Sequence, residues 1–146
     1  MTAPVIRPMT AADMKAATEF MMHLGYDIPV PELARRFEIT DAAEGHAVFI
    51  AETDGEVLGL LHVFDRPALE KPPEAIVQSL AIHEKEQCRG IGRRLMERAE
   101  AWAADRGLAS VALHTQVYRD RARTFYARLG YEDAAEAKLM RKSLLR

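Results

Sequence analysis

A short loop between a buried strand and an amphipathic helix is the sequence feature that most restricts how this chain of 146 residues can fold. Residues 75–82 are apolar enough to form a strand that is covered on both faces. The helix after the loop is predicted from apolar residues at three- and four-residue spacing, and it ends at Gly107. Its apolar face comprises Ile91, Leu95, Ala99, Trp102 and Ala103. The loop between them is Gln87-Cys88-Arg89-Gly90-Ile91-Gly92, so the sequence predicts a strand–loop–helix unit.

The first half of the chain predicts one strand, two helices and a hairpin. Residues 5–7 form a short strand, and Thr10 is the N-cap of a helix that stops at Gly25. A second helix begins at Pro31, with Leu33, Phe37 and Ile39 as its apolar positions. Two β-rich runs at 47–52 and 57–64 flank a turn at Asp54-Gly55, which is a strong hairpin signal.

The second half alternates between strands and helices. Residues 110–114 predict a strand, and the helix after it ends at Gly130, with Ala122, Phe125, Tyr126 and Leu129 on one side. A last strand is expected within residues 137–144, although residues 136–141 could equally prolong a helix. The predicted order is β-α-α-β-β-β-α-β-α-β. This order indicates a single α/β domain over residues 1–146, with helices on the faces of one mixed sheet.

The loop at 87–92 has the properties of an anion-binding site. The first amides of a helix have no intrahelical acceptor, and the helix dipole adds partial positive charge there. Gly90 and Gly92 lack side chains that would block an oxyanion, and Arg89, Arg93 and Arg94 add cationic donors. The Gly-Lys-Ser/Thr ending of a Walker loop and the third glycine of a dinucleotide fingerprint are both missing. The loop therefore predicts a bound pyrophosphate of another kind.

Two motifs give the chain a family resemblance. The loop matches the pattern Arg/Gln-x-x-Gly-x-Gly/Ala, and residues 122–131 match Ala-x-x-Phe-Tyr-x-x-Leu-Gly-Phe/Tyr. Both patterns are signatures of the GCN5-related N-acetyltransferase (GNAT) superfamily, which this chain resembles over essentially its whole length. The resemblance implies the acyl-CoA N-acyltransferase fold, with a central mixed, mostly antiparallel β-sheet flanked by helices. It also implies direct transfer of an acetyl group from acetyl-CoA to a primary amine, in a ternary complex and without a metal.

The resemblance assigns roles to particular residues. The pantetheine arm is expected beside Leu80, Ala81 and Ile82, where a backbone amide near Leu80 hydrogen-bonds the thioester carbonyl and stabilises the charge that develops there. Tyr126 is expected to protonate the departing thiolate. The remaining cofactor-binding residues are Gln87, Cys88, Arg89, Gly90, Ile91, Gly92, Arg93, Arg94, Arg119 and Phe125. Arg119 stands where the family often has asparagine, so its contact is left open between a phosphate and the start of the helix.

The proton acceptor for the incoming amine is not identified by a motif. His62 and Asp65 belong to or follow the predicted third strand, which usually borders the acceptor cleft in this family. His83, Glu84 and His114 are the other candidates, and a chain of water molecules is a further alternative.

Charge divides unevenly along the chain and bears on the acceptor. Residues 1–84 carry 6 Lys or Arg and 14 Asp or Glu, whereas residues 85–146 carry 14 and 8. An acidic first half favours a small cationic amine as acceptor. Acids expected to attract it are Glu19, Asp27, Glu32 and Glu38, with an apolar wall expected from Phe20, Met21, Met22 and Tyr26. Aminoglycosides, polyamines, amino-acid derivatives, protein N-termini and lysines all stay open.

Two functions of other classes compete with this prediction. One is a noncatalytic acyl-CoA sensor or interaction module of the same fold. The other is a nucleic-acid binder that uses the arginines of the second half, which is disfavoured because aromatic platforms are sparse near them. A homodimer is compatible with the resemblance.

Composition bears on the location of the protein. One cysteine excludes an internal disulfide framework, and neither a membrane-spanning run nor a secretory signal is evident. The expected location is the cytoplasm.

Overall fold

The computed structural model describes residues 3–86, 89–115 and 120–145. These residues divide into two compact units, Met1–His114 and Thr115–Arg146. The prediction of a single domain over residues 1–146 stays a prediction.

The first unit contains a five-stranded sheet. Its strands are β1 (Val5–Pro8), β2 (His46–Thr53), β3 (Glu56–Arg66), β4 (Glu74–Ile82) and β5 (Val111–Leu113). They lie in the order β1-β2-β3-β4-β5, antiparallel except for the parallel pair β4–β5. The predicted hairpin at Asp54-Gly55 is confirmed, because β2 and β3 pair on either side of that turn. The mixed, mostly antiparallel sheet of the sequence prediction is therefore confirmed.

Helices pack on both faces of this sheet. Helices α1 (Met14–His23) and α2 (Val30–Ala42) lie on one face, and α3 (Ile91–Asp105) lies on the other. Leu60 belongs to the same buried cluster as residues of α1. Its neighbour Gly59 faces Ile91 and Leu95 of α3. Successive residues of a strand point to opposite faces, so the two helical layers are separated by the sheet.

The start of α1 is fixed by an ion-pair network. A short 3₁₀ turn, Ala11–Asp13, precedes the helix. The Asp13 carboxylate accepts a 2.8 Å hydrogen bond from the Thr10 amide and lies 2.8 Å from the Arg7 guanidinium. Arg7 also pairs with Glu52 of β2 at 2.9 Å. The Arg7 hydrogen bond is the main reason that the pKa of Asp13 is lowered. The network ties the beginning of α1 to strands β1 and β2.

The second unit contains helix α4 (Asp120–Arg128). Four residues were predicted to share one side of it, and all four are half-buried while their helical neighbours are exposed: Ala122, Phe125, Tyr126 and Leu129.

The strand expected within residues 137–144 is wrong, and so is the alternative helix over residues 136–141. Residues 131–145 form neither, and Leu139, Met140 and Leu144 are at least 80% exposed. A strand needs a neighbour for its backbone groups, and none of the described strands pairs with this segment. Ile39, grouped with the apolar positions of α2 in the sequence, is 60% exposed.

None of the helices in the part of the chain that the structure describes is long and apolar enough to cross a bilayer.

Candidate active site

One edge of β4 is open over half its length. Strand β5 pairs only with residues 75–77 of β4, although β4 continues to Ile82. Among residues 3–86, 89–115 and 120–145, no strand pairs with residues 78–82 on that side. An open strand edge presents unpaired N–H and C=O groups that an extended ligand can use.

The backbone amide of Leu80 faces this open edge. The His83 amide donates a 2.8 Å hydrogen bond to the Leu58 carbonyl, so these two residues form a hydrogen-bonded pair of the β3–β4 ladder. Hydrogen-bonded and non-hydrogen-bonded pairs alternate along antiparallel strands. Leu61, three residues after Leu58 in β3, lies opposite Leu80 of β4. They therefore form a non-hydrogen-bonded pair, and the Leu80 N–H points away from β3.

The beginning of α3 presents free amide donors. Gly90 is the N-cap, with φ of +85°, and no side chain caps this end among the described residues. The Arg94 amide donates to the Gly90 carbonyl at 3.1 Å, which leaves the preceding amides without intrahelical acceptors. Arg93 and Arg94 are exposed, and Arg93 pairs with Glu97 at 3.3 Å. This geometry suits an anion, as the sequence predicted.

Close packing holds the start of α3 beside the end of β4. A Cβ atom built on Gly59 would lie 2.9 Å from Leu95 Cδ1 and 3.1 Å from both Ile91 Cγ2 and Ile82 Cδ1. Ile91 is buried at the first position of α3. The last residue of β4 and the first residue of α3 therefore meet over the same glycine, which brings the open strand edge and the free helix amides into one region.

Some predicted site residues lie outside the described residues. Gln87, Cys88 and Arg119 belong to this group, so their proposed contacts stay predictions. Leu80 and Ile82 are half-buried and Ala81 is buried, whereas Arg89 and Gly90 are exposed.

Tyr126 lies in an aromatic group of the second unit. Its ring centroid is 5.0 Å from that of Phe125 and 6.0 Å from that of Tyr131. Its carbonyl accepts hydrogen bonds from the Leu129 and Tyr131 amides, both at 3.0 Å, as the helix ends. The side chain is half-buried, which leaves part of it accessible for chemistry.

A pocket of about 110 Å³ lies between the sheet and the first two helices, and it is called here the α1–α2 pocket. The helical side is formed by Ala17, Met21, Leu33, Arg36, Phe37 and Thr40. The sheet side is formed by Met9, Val48, Leu60, His62 and Ser79. Since Ser79 directly precedes Leu80, the pocket adjoins the open edge of β4.

His62 is the one proton-acceptor candidate that lines this pocket. Its Nε2 lies 3.0 Å from Nδ1 of His46, so one ring donates and the other accepts. Burial, and secondly the charge of His46, lower the pKa of His62 to about 4. His62 is therefore uncharged at neutral pH. Asp65 instead pairs with Arg106 at 2.6 Å, and Glu84 and His114 are exposed.

The acids expected to attract the acceptor do not line the pocket. Glu32 accepts hydrogen bonds from Arg35 at 2.8 Å and from Arg36 at 3.0 Å, so two arginines already neutralise it. Of the predicted apolar wall, Met21 lines the pocket and Phe20 is buried in the core. Met22 and Tyr26 are exposed. The sequence predicted that these acids and apolar residues lie on the acceptor side. The packing of α1 and α2 on the sheet decides which of them face the pocket.

No cluster of three or more His, Cys, Asp or Glu side chains that could hold a metal ion occurs among the described residues.

Comparison with known proteins identifies the family of this chain. The model of the acetyltransferase (GNAT) family matches residues 13–131. An aminoglycoside N(6')-acetyltransferase type 1 from Stenotrophomonas maltophilia is 30% identical and covers 98% of this chain and 95% of its own length. The enzyme of the same name from Klebsiella aerogenes is 26% identical over 98% of this chain and 99% of its own length.

Solved structures share the fold at lower identity. The aminoglycoside N-acetyltransferase AAC(6')-Iy in complex with CoA superimposes with a TM-score of 0.88, at 19% identity and over 97% of each chain. Among the sequence relatives, mouse N-alpha-acetyltransferase 80 matches only a segment, with 39% identity over 66 residues, which are 44% of this chain and 19% of that protein. Since the family model spans most of the chain and a relative is similar over nearly its full length, the chain belongs to the acetyltransferase (GNAT) family and is an N-acetyltransferase.

Proposed function

We propose that this protein transfers the acetyl group of acetyl-CoA directly to the primary amine of a small molecule, which is cationic in solution, within a ternary complex. The observation that carries the proposal is the open edge of β4 at Leu80, next to the amides at the start of α3, which no side chain of the described residues caps. The relatives named as aminoglycoside N(6')-acetyltransferases support a small-molecule amine as acceptor.

In this proposal the chain holds acetyl-CoA through its backbone more than through side chains. The pyrophosphate binds the amides of residues 87–92, with Arg89, Arg93, Arg94 and Arg119 as cationic donors. The pantetheine arm extends the sheet along Leu80, Ala81 and Ile82. Backbone donors on a strand or in the first turn of a helix are held by the surrounding hydrogen bonds, so they lose little conformational entropy when the cofactor binds.

The chemistry then needs one hydrogen-bond donor for the oxyanion and three proton transfers. The ammonium first loses a proton to solvent through a chain of water molecules, because a pKa of about 4 makes His62, which lines the α1–α2 pocket, a weak base. The amine nitrogen then bonds to the thioester carbonyl carbon, and the Leu80 N–H stabilises the negative charge on the carbonyl oxygen. The carbon–sulfur bond breaks, and the thiolate takes a proton from the Tyr126 hydroxyl. The nitrogen loses its second proton, which restores the Tyr126 hydroxyl. Holding both reactants together supplies much of the remaining rate enhancement.

The test is release of free thiol from acetyl-CoA in the presence of a panel of primary amines. We expect release that depends on the acceptor. Binding of acetyl-CoA without release for any amine would instead identify a noncatalytic acyl-CoA sensor.

A second candidate is acetylation of protein N-termini or lysines. It is favoured by the segment shared with mouse N-alpha-acetyltransferase 80. The panel therefore includes short peptides with a free N-terminus and peptides with an internal lysine. Release with peptides but not with small amines would support this candidate over the first.

A further inference from the structure

The α1–α2 pocket is mainly apolar. Seven of its eleven lining residues are hydrophobic, and Met21, Leu33 and Phe37 contribute the large side chains of its helical side. Apolar lining favours an apolar occupant because water is released from both surfaces. The polar residues of the sheet side, His62 and Ser79, are opposed in the β3–β4 register.

Charge in the pocket disfavours a second ammonium group. None of the lining residues is Asp or Glu, and the lining cation is Arg36, whose guanidinium is held by Glu32 at 3.0 Å. The Arg36 side chain is 56% exposed, so the pocket opens to solvent beside it. An ammonium group deeper in the pocket would exchange water for apolar neighbours with no carboxylate to compensate it, which is unfavourable. His62, which burial keeps neutral, shows that the sheet side already resists positive charge. The reacting amine must lose its proton in any case, so this penalty falls mainly on a second ammonium group.

The volume of the pocket limits the size of the apolar group that can bind in it. The pocket measures about 110 Å³. A closed apolar cavity of about 150 Å³ holds benzene. Scaled to this volume, the α1–α2 pocket has room for an apolar group of about four or five carbon atoms. A linked set of sugar rings is much larger than this.

The pocket lies next to the place where the thioester is proposed to react. Ser79 lines the pocket, and the next residue is Leu80, whose N–H faces the open edge of β4. An amine at the His62–Ser79 end would lie next to the place where the thioester carbonyl is proposed to bind. The apolar remainder of the same molecule would extend between α1 and α2.

We propose that the acceptor is a small monoamine joined to a compact apolar group, which fills the α1–α2 pocket while the amine lies at its His62–Ser79 end. This inference rests on the proposed function and narrows it to a substrate class. A polycationic acceptor is disfavoured for the reasons of charge and size above.

The first experiment compares amines of matched size by acetyl-CoA-dependent thiol release. The compounds 3-methylbutylamine and 1,4-diaminobutane each have six non-hydrogen atoms, but the second carries another ammonium group. Ethylamine lacks most of the apolar group, and neamine represents a polycation. Each buried methylene is worth about fourfold in affinity. We therefore expect kcat/KM for 3-methylbutylamine to exceed that of each of the other three by about tenfold or more.

The second experiment fills the pocket. Leu33→Trp adds bulk to a lining residue of α2, so kcat/KM for 3-methylbutylamine is expected to fall by about tenfold or more, mainly through KM. Ile39→Trp is the matched control on the same helix, because Ile39 is 60% exposed and does not line the pocket. It should keep kcat/KM within about twofold, a margin consistent with a surface substitution. Thermal stabilisation by acetyl-CoA must match wild type in both variants, which shows that they are folded.

Different results would contradict the monoamine inference and the proposed transferase function. Faster thiol release with neamine or 1,4-diaminobutane than with 3-methylbutylamine would overturn the monoamine inference and leave the transferase function intact. An unchanged KM in a folded Leu33→Trp protein would also overturn the inference. If no amine or peptide released thiol, the proposed function would fail, and the inference with it.

Discussion

The two histidines of the sheet bring a titratable pair to the edge of an apolar pocket. His46 belongs to β2 and His62 to β3, and the register places His62 opposite Val48, two positions from His46. The ring of His46 also stacks on Phe64, with centroids 5.1 Å apart. Packing of this kind excludes water from His62 and explains why the pKa of the buried ring is low.

This pair predicts a loss of stability in acid. An unfolded histidine titrates near 6.5, whereas the pKa of folded His62 is about 4. The unfolded chain therefore binds a proton that the folded chain does not, and the free energy of unfolding falls as pH drops from about 6.5 to about 4. The contribution is up to about 3 kcal/mol. Urea unfolding at several pH values should show a shallower pH dependence for His62→Gln than for wild type.

An exposed substitution on α1 that removes no titratable group supplies the control for this measurement. Met22→Gln should retain the wild-type pH dependence, because Met22 is 53% exposed and carries no proton that titrates. Identical slopes for wild type and His62→Gln would contradict the assigned pKa.

Tyr126 carries the prediction that most directly concerns catalysis. Tyr126→Phe removes the proposed proton donor, so kcat is expected to fall by about 100-fold, within the range for general acid catalysis. The adjacent variant Tyr131→Phe should stay near wild type, since phenylalanine is allowed at that position of the family motif. Steady-state kinetics with a saturating amine measure the effect. A Tyr126→Phe protein that is folded and keeps kcat within about threefold of wild type would exclude the acid role.

At the level of secondary-structure elements, α3 offers two glycines in the same backbone conformation with different roles. Gly90 at the start has φ of +85°, Gly107 after the end has φ of +74°, and a Cβ atom on either would meet nothing within 4 Å. Alanine at each position should therefore cost about 1–2 kcal/mol through backbone strain alone. Only Gly90 lies at the proposed phosphate site.

Alanine variants of the two glycines therefore distinguish the effect of backbone strain on stability from an effect on acetyl-CoA binding. Gly90→Ala is expected to raise KM for acetyl-CoA by about tenfold, because the new methyl group and the altered backbone disturb the amides that hold the anion. Gly107→Ala should lose similar stability, measured by urea unfolding, with KM unchanged. An equal change of KM in both variants would show that strain in α3, not the site at Gly90, is responsible.

At the scale of the whole molecule, binding of acetyl-CoA should be visible as thermal stabilisation. A ligand at about 100 times its Kd adds about 2.7 kcal/mol. For a chain of this length that raises Tm by about 5–10 °C. The shift should also occur with CoA and should persist in 0.5 M salt. A nucleic-acid site formed by the basic second half would instead weaken steeply with salt. No shift at millimolar acetyl-CoA would contradict the proposed function.

Local patterns in the sequence predicted most of the elements. The helix over residues 91–105, the hairpin at Asp54-Gly55 and the apolar side of α4 all depend on residues that are close in sequence. The last strand was wrong because an apolar run such as Leu139-Met140 becomes a strand only if another strand pairs with it. Of the acids expected to attract the acceptor, Glu32 forms ion pairs with Arg35 and Arg36 one turn away, and none of the four lines the α1–α2 pocket.

Short stretches of sequence were enough to predict the family, the strand–loop–helix unit and the motif residues, because helix periodicity, turns and contiguous motifs are local features. Three features became known only from the folded chain: β5 pairs with β4 only as far as Val77, the Leu80 amide faces the open edge, and His62 and Ser79 meet at an apolar pocket. These features depend on the register between strands distant in sequence and on how α1 and α2 pack over them. A shift of one residue in a strand turns every side chain to the other face, so no local pattern could have specified them.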